Sequence, residues 1–129
     1  MNVIMDVIVK ETDFNNVIGT SFHNKTINAS VNELISIFGI EPDKDLDSKT
    51  KFEWRLEYQE YHDETLNKQF QFTIYDYKED WDQYEDDSTD NDYLYTTKID
   101  WHIGSKSYDY AILVQDWLKN KLNKLRNEG

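Results

Sequence analysis

The chain has 129 residues, no cysteine and a formal net charge of −12. That length suits one domain, residues 1–129, with a core of its own, and 15% aromatic residues supply the material for it. The missing cysteines exclude disulfides, thiolate chemistry and the usual structural zinc sites, while the charge disfavours direct binding to DNA, RNA or anionic membranes.

The start, MNVIMDVIVKE, lacks the basic residues and long apolar run of a secretory signal, and no stretch reaches membrane-spanning length, so a cytoplasmic protein is expected. Residues 2–10 alternate weakly and suit a first strand, followed by a loop through Gly19 and Asn24. In SVNELISIFG (30–39), Ser30 and Glu33 have capping-box spacing, and Val31, Leu34, Ile35 and Phe38 form one apolar stripe. Gly39 and Pro42 end that helix. Strict alternation in KFEWRLEY (51–58) and FQFTIYDY (70–77) predicts two half-buried strands, joined through YHDETLNK by a loop longer than a two-residue turn. A third strand over about 93–103 would carry Tyr93, Tyr95, Ile99, Trp101 and Ile103 on one face and Lys98, Asp100 and His102 on the other. A final helix over about 108–126, N-capped by Ser107, has the stripe Ala111, Val114, Leu118, Leu122 and Leu125. The expected fold class is α+β, an antiparallel sheet of about four strands with two helices packed on one face.

Between the second and third of these strands lies DWDQYEDDSTDNDY (80–93), with seven carboxylates and no basic residue. An EF-hand needs Gly at position 6 and Glu at position 12; counted from Asp80 those places hold Glu85 and Asn91. A solvated loop, an irregular cation site and a partner-facing acidic surface all remain open. In the last, Trp81, Tyr84 and Tyr93 would be anchors among Asp80, Asp82, Glu85, Asp86, Asp87, Asp90 and Asp92. WHIGSKS (101–107) ends a strand just before a helix, and its backbone amides, hydroxyls and lysine are parts of an anion-binding nest. With only Gly104 it is no Walker A loop, and an ordinary strand-to-helix turn explains it equally well. His23, His62 and His102 occupy unrelated contexts and no G-x-S-x-G or H-E-x-x-H occurs, so no enzyme, cofactor or metal is expected. His102 beside Asp100 fits an oriented base or half of a cross-strand ion pair.

Several segments together resemble a group of small phage-encoded proteins with the pattern E-L-x-x-x-F-G-x-P, E-W-x-L, T-I-Y-x-Y-K and W-H-I-G-G-K. Here the pattern appears as Glu33-Leu34 with Phe38-Gly39 and Pro42, as Glu53-Trp54-Arg55-Leu56, as Thr73-Ile74-Tyr75-Asp76-Tyr77-Lys78, and as Trp101-His102-Ile103-Gly104-Ser105-Lys106. One extra residue separates Gly39 from Pro42, and Ser105 replaces the second glycine. The resemblance implies a counter-defence protein that acts by binding. Two partners follow. One is a small nucleotide immune signal, sequestered in a site that includes His102, where Tyr75, Tyr77 or Trp101 stacks a base and Lys78, Lys106 and the amides of Gly104, Ser105, Lys106 and Ser107 hold phosphate. The other is a host defence protein, met by the acidic stretch acting as a nucleic-acid mimic. Exposed tyrosines, and the habit of such pockets to form between subunits, point toward a homodimer.

Overall fold

The computed structural model describes residues 5–44, 49–85 and 92–128. The alternation in KFEWRLEY and FQFTIYDY builds two long strands, β4 (Thr50–His62) and β5 (Thr65–Tyr77), paired antiparallel with Trp54 opposite Ile74, Leu56 opposite Phe72 and Tyr58 opposite Phe70. Their connection is tighter than the sequence suggests. Only Asp63 and Glu64 lie between the strands, with φ of 49° and 71°, which is the left-handed pair of a type I′ turn. No Asn-Gly or Asp-Gly marks the turn, so its signal is missing from the sequence.

Around this hairpin, β1 (Met5–Glu11), β2 (Ser21–Ala29), the two-residue β3 (Asp43–Lys44) and β6 (Ile99–Ser105) complete an antiparallel sheet in the order β1-β4-β5-β6-β2, with β3 also on β4. The sheet thus has six strands, and the segment expected to be a loop through Asn24 is largely β2. Asn24, at φ 63°, sits where the β2–β6 register shifts. The third strand is also shorter than expected. Tyr93–Thr96 is a helical turn, α3, and β6 begins only at Ile99, so Tyr93 and Tyr95 are not strand residues.

One sheet face is apolar: Phe52, Trp54, Leu56 and Tyr58 of β4, Phe70, Phe72 and Ile74 of β5, Ile99, Trp101 and Ile103 of β6, and Ile27 and Ala29 of β2 are buried in one cluster. Two helices cover it, α2 (Val31–Phe38) and α4 (Tyr108–Glu128). The capping box of α2 forms as its sequence indicates: Glu33 N–H donates to Ser30 Oγ at 3.2 Å and Ser30 N–H to Glu33 Oε1 at 3.0 Å. Gly39, at φ 70°, returns its N–H to Ile35 O at 2.7 Å. Ser107 caps α4 by accepting from Tyr110 N–H at 3.2 Å. Among the described residues no helix is long and apolar enough to cross a membrane.

The opposite, open face is crossed by residues 12–20, which carry the chain from β1 at one edge to β2 at the other. The short helix α1 (Phe14–Val17) lies in this strap, Val17 is buried, and the Phe14 ring stands 5.0 Å from the Arg55 guanidinium. Gly104 faces the same side. A Cβ there would run into Thr73 Oγ1 and come within 3.3 Å of the Tyr75 ring. Gly104→Ala is therefore expected to destabilise the fold by about 1–3 kcal/mol. The cost should shrink in a Thr73→Ala background; thermal melts of the four combinations give the coupling directly.

Candidate functional site

The two motifs of interest lie on neighbouring strands, with Tyr75 opposite His102, Thr73 opposite Gly104 and Phe72 opposite Ser105. Tyr75 and His102 share the open face, their rings 5.4 Å apart, and Tyr77 reaches within 5.9 Å of the same imidazole. Phe22, from β2, stacks on His102 at 4.1 Å with 14° between the planes. Burial pushes the His102 pKa down, so the ring is a neutral, stacked aromatic at pH 7. Asp100 does not orient it, and instead accepts from Asn28 Nδ2 at 2.9 Å.

The remaining motif residues do not join this cluster. Trp101 is fully buried on the other side of the sheet, its indole N–H donating to Ala29 O at 2.8 Å, so it cannot stack a ligand base. Gly104 lies within a strand paired on both sides and does not offer a loop amide. Ser105 is buried and donates its hydroxyl to Ser107 O, while the Ser107 hydroxyl caps α4. The two lysines are far apart. Extending the β5–β6 register, Lys78 falls opposite Ile99 and Lys106 opposite Gln71, about seven residues along the sheet, or roughly 23 Å. Their backbones therefore do not lie side by side. Lys78 is exposed at φ 56°, with its ammonium 5.3 Å from the Tyr77 ring, and Lys106 is exposed beyond the other end. The groups of the nucleotide pocket implied by the resemblance are thus an aromatic patch and two separate cations.

The acidic stretch is ordered at its base. Asp80 precedes a 3-10 turn, Trp81–Tyr84, whose tryptophan would be an anchor in the partner-facing reading of this stretch. Trp81 is only 7% exposed. Its ring packs edge-on to Phe52 at 5.6 Å and 6.2 Å from Trp101, so it belongs to the core. Its indole N–H donates to Oδ2 of Asp76, whose Oδ1 accepts from the backbone N–H of Phe52 at 2.8 Å and of Lys51 at 3.0 Å. Burial pushes the Asp76 carboxyl up, against the pull of these donors. Tyr84 is half-buried, packs 6.1 Å from Trp81, and donates its hydroxyl to Glu79 Oε1 at 2.6 Å. That hydrogen bond pushes the Tyr84 phenol up.

Asp80, Asp82, Glu85 and Asp92 stand exposed around this base, and none is ion-paired among the described residues. Asp86, Asp87 and Asp90 lie outside the described residues. Tyr93 begins α3, which packs against the 3-10 turn. Among the described residues no three His, Asp or Glu side chains gather as a metal site. Two shallow grooves run along α4, of about 180 and 240 Å³, lined by Ile27, Leu122 and Arg126 and by Ile37, Lys121 and Lys124 among others; both lie away from the two motifs.

Sequence reasoning missed Phe22 and the role of Asp76. Phe22 lies in a polar run that gave no strand signal, whereas an Asp at an otherwise apolar-facing position of FQFTIYDY was a visible irregularity. The chain matches no protein-family model, no curated protein and no solved structure.

Asp76→Asn separates the parts of this anchor. The amide oxygen can still accept from Lys51 and Phe52, but its NH2 group would face the Trp81 N–H, donor against donor. The expected cost is about 1–3 kcal/mol. It should appear with a red-shifted tryptophan emission and faster amide exchange over 80–85, while α2 keeps its protection.

Proposed function

We propose that the chain is a non-catalytic binding protein of phage counter-defence type, working in the cytoplasm of an infected bacterial cell. It acts by presenting its acidic end to a basic, nucleic-acid-binding surface of a host defence protein. The observation that carries this reading is the Trp81–Asp76 anchor, which fixes the start of the acidic stretch to the core and leaves Asp80, Asp82 and Glu85 exposed. Carboxylates on an ordered base lose less freedom on binding than those of a free loop, so more of their attraction appears as affinity. A concentrated negative field also steers a basic partner into encounter and excludes acidic ones.

The alternative, sequestration of a small nucleotide signal, needs phosphate-binding groups converging beside a stacking ring. The separation of Lys78 from Lys106 and the burial of Trp101 weigh against it. The aromatic patch of Phe22, Tyr75, Tyr77 and His102 is what it would retain.

The test is inhibition of defence nucleases, of restriction and RNA-guided type, by the purified protein in competition with duplex DNA. Inhibition should weaken steeply with salt and be relieved by excess DNA. Replacing Asp80, Asp82 and Asp92 by Asn and Glu85 by Gln should weaken it at least about tenfold, equivalent to about 1.4 kcal/mol, with an unchanged melting temperature. Retention of a cyclic dinucleotide through filtration and its intact release on heating, with no nuclease inhibited, would reverse the choice between the two readings.

A further inference from the structure

The two edges of the sheet are treated differently by the chain. At the β2 edge, side chains of α4 take up the backbone: Gln115 Nε2 donates to Thr26 O at 2.8 Å and an Arg126 terminal nitrogen to Asn28 O at 3.0 Å. Arg126 is held there by Glu33, with its Nε 2.8 Å from Oε2. Such capping keeps another strand from adding to that edge.

At the other edge, β1 has no such cover among the described residues, and it is mostly exposed, with Met5 at 57% and Ile8 at 49%. The orientation of its backbone follows from one bond. Thr12 N–H donates to Arg55 O at 3.0 Å, in the same register that pairs Glu11 with Leu56. Hydrogen-bonded pairs alternate along an antiparallel ladder, so Lys10, Ile8 and Asp6 also turn their N–H and C=O groups toward β4. Met5, Val7, Val9 and Glu11 therefore turn theirs outward, in a row able to receive a strand.

We propose that this row pairs with the same row of a second copy, antiparallel about a twofold axis at Ile8. The sequence MDVIVKE is complementary to itself in that register. Val7 meets Val9 of the second copy and Met5 meets Glu11, both pairs joining outward-turned backbone groups. Between them, at the closer non-hydrogen-bonded positions, Ile8 meets Ile8 and Asp6 meets Lys10. The twofold makes every such pair occur twice except the central one. Shifting the centre to Val7 would set Asp6 against Ile8, and shifting it to Val9 would set Lys10 against Ile8, so of the three only the Ile8 register joins Asp6 to Lys10 and Ile8 to Ile8. Lys10 is free enough to serve: its side chain is 56% exposed, and its contact to Glu57 is a loose 3.6 Å.

The full chain should therefore sediment as a concentration-dependent dimer with dissociation in the micromolar range. Asp6→Lys places lysine against Lys10 at both symmetric positions and should weaken the dimer at least tenfold. Asp6→Lys combined with Lys10→Asp should restore it, and a mixture of the Asp6→Lys and Lys10→Asp chains should form heterodimers while each alone stays monomeric. Val9→Pro removes an outward N–H without touching the β4 ladder and should give a folded monomer by circular dichroism. A wild-type chain that remains monomeric at hundreds of micromolar overturns the proposal. So does a dimer that survives Asp6→Lys unchanged, or one that the double exchange fails to restore.

Discussion

Three buried indoles, each needing a partner for its N–H, determine how the connections of this protein close on its sheet. Trp81 and Trp101 pack against Phe52, and Trp54 meets Trp101 edge to face at 5.4 Å. Leaving an indole N–H unpaired in such a place would cost about 1–3 kcal/mol each. Each finds an acceptor where the chain leaves a regular element: Trp101 on Ala29 O at the end of β2, Trp54 on Ile40 O just past α2, and Trp81 on Asp76 near the end of β5. The aromatic core thus fixes both ends of α2 and the root of the acidic stretch. Packing and hydrogen bonding here are one constraint, since moving a ring would also unpair a connection.

That constraint changes the meaning of the motifs. WHIGSK reads as a ligand cradle when its residue types are considered one at a time. In the fold each has a local reason: Trp101 fills the core, Gly104 makes room for Thr73 and Tyr75, Ser105 bonds Ser107, and Ser107 caps α4. TIYDYK divides in the same way, with Ile74 and Asp76 inward and Tyr75 and Tyr77 on the open face. Among the described residues, the two motifs leave on the open face the aromatic patch around His102, and exposed carboxylates follow beyond Asp76.

The legible parts of the sequence were those whose signals are local. The Ser30–Glu33 box, the αL residue Gly39, the alternation of β4 and β5 and the stripe of α4 as far as Leu122 need only neighbouring residues and took the form their spacing implies, whereas Leu125 is only half-buried and lines a surface groove. The parts that were not legible depend on partners distant in sequence. SFHNKTINA is mostly polar because β2 is an edge strand with only Ile27 and Ala29 deeply buried, and pairing with β6 makes it a strand. The run through Tyr93 and Tyr95 alternates like a strand, yet a helical turn intervenes before Ile99. The spacing of Lys78 and Lys106 could not be judged either, because it is set by the β5–β6 register, which places the ends of the two motifs at opposite ends of the β5–β6 ladder.

The sheet also sets how the two proposed interaction surfaces would coexist on so acidic a chain. A net charge of −12 opposes self-association unless the negative regions stay apart. Ile8, at the middle of the β1 edge, pairs with Gln59, whereas Tyr77, from which the acidic stretch departs, pairs with Thr50. Nine residues of β4 separate those points, roughly 30 Å along the strand. Screening at physiological ionic strength acts over about 8 Å, so the acidic end is several screening lengths from the centre of the β1 edge. The edge itself, Met5–Glu11, carries Asp6 and Glu11 against Lys10 alone, a net −1. A long hairpin therefore does more than supply core: it holds the acidic end away from the β1 edge, so that one can be strongly charged while the other remains close to neutral.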